Sequence, residues 1–162
     1  MIDTVAQRGE IRVLGPADTD RYCNHLSRLD PEARRMRFFA DVSDFHVLFH
    51  AGVALSDGRV VIGYVEDDEI RGACELLASG EDPHGAEAAF SVEHDWRRAG
   101  IGGVLMTAMI DAARQRGVQR IELQCLKTNV PMQALAARFT SDLRQIGDTT
   151  LAVLDNSAAA AG

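Results

Sequence analysis

The spacing of apolar and polar residues changes near residue 59, and the part before it predicts mainly helices. One short strand, Glu10–Leu14, comes first and ends at Pro16. Helical spacing with polar starts and stops then predicts three segments. These segments are Asp18–Leu29, Pro31–Phe39, which Asp30 precedes as a capping residue, and Asp44–Leu55.

From residue 59 the pattern is that of strands, and after residue 100 strands and helices alternate. Three strands form a predicted meander, whose first two are joined by the acidic turn Glu66-Asp67-Asp68-Glu69. The predicted elements are strands Val60–Val65, Ile70–Leu77 and Glu87–Glu93, helix Gly102–Arg116, strand Gln119–Leu126, helix Pro131–Phe139 and strands Leu143–Ile146 and Thr150–Leu154.

This order predicts an α/β (α+β) fold, in which antiparallel strands lead and one β-α-β unit follows. We expect a mixed, mostly antiparallel central sheet of about seven strands flanked by about four helices. The length suits a single domain, which we assign to residues 1–155. Residues 156–162 are mostly Ala with Ser and Gly, and we expect them to form a disordered tail.

Composition narrows the classes of function. No apolar stretch is long enough to span a membrane and the first residues lack a signal peptide's apolar core, so we expect a cytoplasmic protein without a membrane partner. The net charge of −7 disfavours nucleic-acid binding and suits a cationic substrate. His46 and His50 have helical metal-ligand spacing but no third ligand nearby, so we expect no metal. The oligomeric state, monomer or homodimer, stays open.

The segment Arg97-Arg98-Ala99-Gly100-Ile101-Gly102-Gly103 has the chemistry of an anion site. It lies between a predicted strand and a helix of about 15 residues, whose first N–H groups lack partners and whose dipole is positive there. The glycines let a ligand approach the backbone, and the two arginines add charge. These features predict a diphosphate site. The plain alternative is a glycine-rich turn at a strand–helix junction.

Two other nucleotide motifs do not fit this segment. A dinucleotide fingerprint, GxGxxG, needs a third glycine where Leu105 stands, and a P-loop needs Gly-Lys-Ser/Thr, which is absent.

The segment Arg97–Gly102 resembles the Arg/Gln-x-x-Gly-x-Gly/Ala signature of the GNAT acetyltransferase superfamily. Asn129-Val130-Pro131-Met132 is similar to that family's second segment, an Asn followed by a helix. The strand Ala86–Val92 leading to Asp95-Trp96, together with Leu29–Glu32 and Arg37–Phe39, resembles more closely the GNAT domain of bacterial protein lysine acetyltransferases.

The resemblance implies that acetyl-CoA is the cosubstrate and assigns residues to it. The backbone at Phe90, Ser91 and Val92 would pair with the pantetheine arm, which Asn129 and Met132 would line. The pyrophosphate would be bound by Arg97, Arg98, Ala99, Gly100, Ile101, Gly102 and Gly103.

The resemblance also implies direct attack of an amine on the thioester, with a carboxylate as general base. Glu87 matches the proposed base of that branch, and Glu93, on the same predicted strand face, is the reserve candidate. Where many relatives have a Tyr that can protonate the thiolate, this chain has Ala136, so the general acid is unassigned. Cys125 could be that acid, although a buried apolar role suits it better.

Two functions remain open at this point. The first is an N-acetyltransferase that acts on a primary amine, of a protein lysine or of a small molecule. The alternative is an acetyl-CoA-binding sensor or partner module without turnover, which the missing Tyr keeps open.

Overall fold

The backbone is organised around one seven-stranded sheet. The structure is a computed structural model that describes residues 8–97 and 99–157. Its strands follow the chain in this order: β1 Glu10–Val13, β2 Val60–Glu66, β3 Glu69–Ala78, β4 Gly85–Val92, β5 Arg120–Leu126, β6 Leu143–Ile146 and β7 Thr149–Asp155. Across the sheet the order is β1-β2-β3-β4-β5-β7-β6, and β4 and β5 form the parallel pair. The predicted mixed, mostly antiparallel sheet of seven strands is confirmed.

Five α-helices flank the sheet within the described residues, one more than expected. They are α1 Thr19–Arg28, α2 Pro31–Phe38, α3 Asp44–Ala54, α4 Ile101–Gln115 and α5 Val130–Ala137. Short 3₁₀ turns at Pro16–Asp18 and His94–Trp96 precede α1 and α4. All five correspond to helical segments predicted from the sequence; α3, predicted as Asp44–Leu55, has its first turn capped by the Ser43 hydroxyl, which accepts from the His46 N–H at 3.1 Å.

Side-chain caps fix where α2 and α5 begin. The Asp30 carboxylate accepts from the Ala33 N–H at 2.8 Å, and Pro31 occupies the first turn. The Asn129 side chain accepts from the Met132 N–H at 3.2 Å and starts α5 in the same way. Each cap satisfies a backbone donor that the first turn would otherwise leave without a partner.

The helices form two layers, one on each face of the sheet, because successive strand residues point to opposite faces. On one face, α1 and α3 bury Tyr22, Leu26 and Val47 against strands β2 and β3. On the other face, α4 buries Ile101, Leu105, Met106 and Met109 against the middle strands, and Met132 and Leu135 of α5 pack against the same cluster. The sheet therefore has an α1–α3 face and an α4–α5 face.

Asn156 belongs to the folded part of the chain. Its side chain is buried, its N–H donates to the Gln119 carbonyl at 2.8 Å, and its amide donates to the Val118 carbonyl at 3.2 Å. The tail that we expected from residue 156 therefore does not begin there. Residues 158–162 of that predicted tail lie outside the described residues.

No helix in the described ranges has the length and apolar character needed to cross a membrane.

The contact between α4 and β3 leaves no room for a side chain at Gly72. A Cβ built there would lie 2.9 Å from Cγ2 of Ile101 and 3.2 Å from Cδ1 of Leu105. Both side chains are buried, so neither can move aside without disturbing the core. We expect Gly72→Ala to lower the free energy of unfolding by about 1–3 kcal/mol, measured by urea denaturation.

Gly80→Ala is the matched control for this substitution, because nothing lies within 4 Å of a Cβ at that position. Its stability should stay within about 0.5 kcal/mol of wild type. Equal stability of the two variants would contradict the close approach of α4 to β3.

Candidate active site

The parallel strands β4 and β5 separate after four paired positions. Their ladder joins Gly85–Ala88 to Arg120–Leu123, and beyond it the two strands continue to Val92 and Leu126 without pairing. β4 remains paired with β3 as far as Val92. The second half of β4 therefore has one free edge, which opens on a gap in the centre of the sheet.

The backbone groups of Phe90 and Val92 face this gap. Glu93 donates its N–H to the Arg71 carbonyl of β3 at 3.0 Å, so alternate residues of β4 present their backbone to β3. The residues between them, Phe90 and Val92, point the other way. Consistent with this direction, the Val92 carbonyl accepts from Nε of Arg97 at 3.2 Å.

Ser91 differs from its two neighbours and does not reach the gap. Its backbone faces β3, and its hydroxyl lies 2.9 Å from Nε2 of His25 on the α1–α3 face. The backbone and the hydroxyl of Ser91 therefore both contact other parts of the protein and not the gap. Of the three residues that the resemblance assigned to the pantetheine arm, Phe90 and Val92 present their backbone to the gap and Ser91 does not.

A cavity of about 230 Å³ lies at this gap and is lined by residues from both faces of the sheet. On the α4–α5 side its wall includes Cys125, Asn129 and Met132. On the α1–α3 side it is lined by polar and charged residues. These are Arg37, His50, Arg59, Glu75, Glu87, Glu122 and Gln124.

Glu87 is an exposed carboxylate on the α1–α3 side of the cavity. It shares a strand face with Ser91 and Glu93, which both contact His25 of α1. In register, Glu122 of β5 lies beside it on the same face. The candidate base therefore lies in the cavity wall, on the opposite side of the sheet from α4.

Glu93, the reserve candidate, is occupied by other groups. It is 5% exposed and forms ion pairs with Arg28 at 2.9 Å and Arg71 at 3.0 Å, and its Oε2 lies 3.0 Å from Nδ1 of His25. Burial would raise the pKa of Glu93, but the hydrogen bonds from His25 and Arg28 outweigh it and hold that pKa below its usual value. Glu93 ties α1 to the sheet and is not placed to act as a base.

Glu75 is a buried carboxylate in the cavity wall that the sequence did not single out. It accepts from Arg37 at 2.8 Å, from Arg59 at 2.8 Å, from Nε2 of His50 at 2.7 Å and from the Tyr22 hydroxyl. Burial would raise the pKa of Glu75, but these donors, His50 and Arg37 foremost, hold it far below its usual value. In the sequence, this site is indicated only by the position of Glu75 within the mostly apolar predicted strand Ile70–Leu77.

The loop before α4 presents unpaired backbone donors. Gly100 has φ of +86°, and the first hydrogen bond of the helix runs from the Val104 N–H to its carbonyl at 3.1 Å. The N–H groups of residues 101–103 precede that bond and point out of the helix end. The side chain of Ile101 is buried, so this residue offers its backbone alone.

Arg97 is exposed at the start of this loop, and Ala99 and Arg98 lie between it and Gly100. Ala99 packs against the core. Arg98, the second predicted phosphate ligand, lies outside the described residues.

The reason why a glycine is present differs among the three glycines of this loop. Gly100 requires a backbone conformation that other residues adopt at a cost. At Gly102 a Cβ would lie 3.1 Å from Cδ2 of Leu135, so packing of α5 explains it. At Gly103 a Cβ would meet only the guanidinium of Arg138, at 3.4 Å. Neither backbone conformation nor packing requires a glycine at Gly103.

Three further sequence predictions can be placed. Asn129 and Met132 line the cavity, and Asn129 also caps α5. Burial raises the pKa of the Cys125 thiol, which makes it a poor proton donor. His46 and His50 stack with ring centroids 6.4 Å apart, and within the described residues no group of three His, Cys, Asp or Glu is placed to hold a metal.

Comparison with known proteins gives one family. Residues 20–140 match the model of the GNAT acetyltransferase family. A curated acetyltransferase from Pseudomonas aeruginosa is 29% identical over 123 residues, which are 68% of this chain and 62% of that protein. The chain thus corresponds to less than two thirds of this relative's length.

Solved structures share the fold. The GNAT domain of S. lividans PAT superposes with a TM-score of 0.77 at 19% identity, over 91% of this chain and 90% of that one. The PaiA N-acetyltransferase from Thermoplasma acidophilum, solved in complex with coenzyme A, superposes with a TM-score of 0.69 at 15% identity, over 91% of this chain and 98% of that one. At these identities the likeness shows the fold alone.

The buried ion pairs make stability depend on pH. Burial lowers the pKa of His25, and the pKa values of Glu93 and Glu75 are lowered as well. The unfolded chain therefore binds more protons in the titration range, so stability falls on acidification, first near pH 6.5 and further below about pH 4.5. We expect the free energy of unfolding, measured by urea denaturation, to decrease from pH 7 to pH 3.

A variant separates the contribution of Glu93. Glu93→Gln should cost about 3 kcal/mol at pH 7, and its deficit should shrink toward pH 3, because the wild type loses the same ion pairs on protonation. Glu81→Gln, at an exposed loop position, should follow the wild type at every pH. A deficit of Glu93→Gln that stays constant with pH would contradict this account.

Proposed function

Because the chain belongs to the GNAT acetyltransferase family, we propose that it transfers an acetyl group from acetyl-CoA to a primary amine. The amine belongs to a protein lysine or to a small molecule. The observation that carries the proposal is the cavity through the gap between β4 and β5. Its lining includes Asn129 and Met132 on the α4–α5 face and Glu87 on the opposite face.

The cofactor half of the site follows from backbone chemistry. The pantetheine arm adds to the free edge of β4 and pairs with the backbone of Phe90 and Val92, as a peptide strand adds to a sheet edge. The pyrophosphate binds the N–H groups of residues 101–103 at the positive end of α4, with Arg97 nearby. Asn129 and Met132 border the arm beside the gap. The thioester then lies in the gap itself.

The acceptor half suits a cation. Glu87 and Glu122 occupy neighbouring register positions on β4 and β5, where strands are about 4.8 Å apart. Like charges on adjacent strands destabilise a sheet. Arg120 offsets part of that repulsion through its ion pair with Glu122 at 3.2 Å, and an ammonium group between the two carboxylates relieves the rest. The net charge of −7 favours the approach of a cationic acceptor in the same sense.

The chemistry requires removal of protons from that ammonium group. A lysine amine with a pKa of about 10.4 loses its first proton at a cost of roughly 4–5 kcal/mol at neutral pH. Glu87 accepts this proton, directly or through water, and the free amine attacks the thioester carbonyl. The new C–N bond forms, the C–S bond breaks, and the nitrogen's second departing proton balances the thiolate. Overall one proton is released to solvent.

One observation favours a second function. Ala136, where many relatives have the Tyr that protonates the thiolate, is 3% exposed and offers no proton. This suits an acetyl-CoA-binding sensor or partner module without turnover. If the wild type binds acetyl-CoA yet releases no free CoA with a panel of lysine peptides and small amines, the sensor function replaces the transferase.

The test of the base is Glu87→Gln, which keeps the size of the side chain and removes its basicity. We expect kcat to fall by about 10²–10⁴-fold, while the Kd for acetyl-CoA stays within about threefold of wild type. The measurements are release of free CoA and isothermal titration with acetyl-CoA.

The matched control is Glu122→Gln, at the neighbouring position of the same cavity. It removes the same charge, so its smaller loss of kcat would separate proton transfer from attraction of the amine. Equal losses in the two variants would overturn the role of Glu87 as base.

Gly103→Ala tests the phosphate site. The new methyl group meets only a movable guanidinium and favours the helix, so stability should rise by as much as about 1 kcal/mol. The same methyl group blocks the ligand from the helix end, and we expect the Kd for acetyl-CoA to rise at least about tenfold, roughly 1.4 kcal/mol.

Gly52→Ala is the control, because it lies within α3 and nothing surrounds its Cβ position within 4 Å. It should raise stability in the same way without changing the Kd for acetyl-CoA. Tight acetyl-CoA binding by Gly103→Ala would show that the pyrophosphate binds elsewhere.

A further inference from the structure

His50 of α3 reaches the acceptor side of the cavity. It is the one histidine among the described residues that line the cavity, and its side chain is 19% exposed. Its ring is held from two sides. Nε2 lies 2.7 Å from Oε2 of Glu75, and the ring packs edge-on against Phe38 with centroids 5.1 Å apart.

The contact with Glu75 fixes which ring nitrogen carries the proton. Glu75 is ionised, since its donors hold its pKa far below the usual value, so its oxygen can only accept. An unprotonated Nε2 at 2.7 Å would place two lone pairs against each other, so Nε2 carries the hydrogen. Nη2 of Arg37 also approaches Nε2, at 3.3 Å, but is better satisfied by Glu75 at 2.8 Å.

The other nitrogen, Nδ1, therefore carries a lone pair. Within the described part of the chain Nδ1 makes no hydrogen bond, and it is not fully buried. It is thus accessible on a ring that borders the cavity. A neutral imidazole with one nitrogen bound to a carboxylate and the other open is the arrangement of an oriented proton acceptor.

On the basis of the proposed function, we propose that His50, oriented by Glu75, is a second acid–base residue of the acceptor site. Its Nδ1 accepts a proton that the acceptor nitrogen loses, directly or through a cavity water, and passes it to solvent. The reaction removes two protons from that nitrogen, and one of them leaves the site. Glu87 and His50 both serve the one proton that leaves for solvent, the other proton goes to the thiolate, and no bond to carbon changes at either residue.

Imidazole suits this step better than a carboxylate alone. The ring can take up a proton at Nδ1 while Nε2 keeps its hydrogen bond to Glu75. When the ring becomes charged, Glu75 at 2.7 Å stabilises the imidazolium. The positive charge of Arg37, whose Nη2 lies 3.3 Å from the same ring nitrogen, favours the return to the neutral ring. The ring can therefore gain and lose a proton in each cycle.

Charged and titratable groups surround His50 from each neighbouring element. The Glu75 carboxylate of β3 is shared with Arg37 of α2, Arg59 before β2 and Tyr22 of α1, and His46 stacks on the ring from α3 itself. Glu87 and Glu122 line the same cavity, and Glu122 is ion-paired with Arg120 at 3.2 Å.

The decisive variant is His50→Gln, compared with His46→Gln one turn earlier on the same helix, outside the cavity lining. We expect kcat/KM at pH 7 to fall by about 10–100-fold in His50→Gln, with the pH dependence of kcat/KM changed from that of the wild type. His46→Gln should keep the wild-type pH profile. The Kd for acetyl-CoA should stay within about threefold of wild type in both variants.

A second variant separates proton transfer from a structural role. His50→Ala leaves a space beside Glu75, and added imidazole should restore at least about a tenth of the wild-type kcat. Loss of activity that imidazole does not restore, together with lower thermal stability, would assign His50 a structural role and overturn the proposal. Nitrogen-15 NMR of the histidine rings adds a test without turnover, since a proton resident on Nδ1 would overturn it as well.

Failure of this inference is distinguishable from failure of the proposed function. If the wild type transfers acetyl groups and His50→Gln does so at the same rate with the same pH profile, Glu87 acts without His50. If the wild type transfers none to any amine, the transferase function itself fails, and the role of His50 with it.

Discussion

The separation of β4 from β5 is the constraint on which the rest of the site depends. Four paired positions hold the strands together, and their divergence after Ala88 and Leu123 leaves backbone groups of β4 without a sheet partner. Unpaired groups inside a sheet are costly unless another partner satisfies them. In the proposed function a pantetheine arm is that partner, and the cavity at the same divergence is lined by residues of both faces of the sheet. The proposed sites for the cofactor and the acceptor therefore both depend on this one irregularity in pairing.

Two buried carboxylates hold the helical layer on the acceptor side in place. Glu93 joins α1 to β3 through Arg28, Arg71 and His25. Glu75 joins α2, α3 and the start of β2 through three basic side chains. Both lie on the face that Glu87 shares, so the position of each helix relative to the candidate base is set by ionic contacts as well as by apolar packing.

The sequence predicted the elements because their signals are local. Alternation marked the strands, and caps such as Asp30 and Asn129 marked the helix starts. The same rule placed Glu87, Ser91 and Glu93 on one face. It did not say that Ser91 and Glu93 would be occupied by His25, which lies 66 and 68 residues away along the chain.

Long-range contacts explain the other gaps in the sequence-based account. The partners of Glu75 come from Tyr22, Arg37, His50 and Arg59, separated from it by 16 to 53 residues. Only the folded chain brings them together. His50 was considered as one of a metal-binding pair with His46, because the helical spacing was visible and the carboxylate on β3 was not.

The cluster around Glu75 is costly to bury, and that cost indicates that it does more than stabilise the fold. Burying a carboxylate with two guanidinium groups carries a desolvation cost that their attraction repays only in part, and apolar residues of similar size often stabilise a core equally well. Stability alone is therefore a weak reason for such a cluster at this position. Its members Arg37, His50 and Glu75 line the cavity, where a fixed charge arrangement can orient an imidazole and steady a transient proton. The cost in folding energy is understandable if it serves the chemistry of the acceptor site.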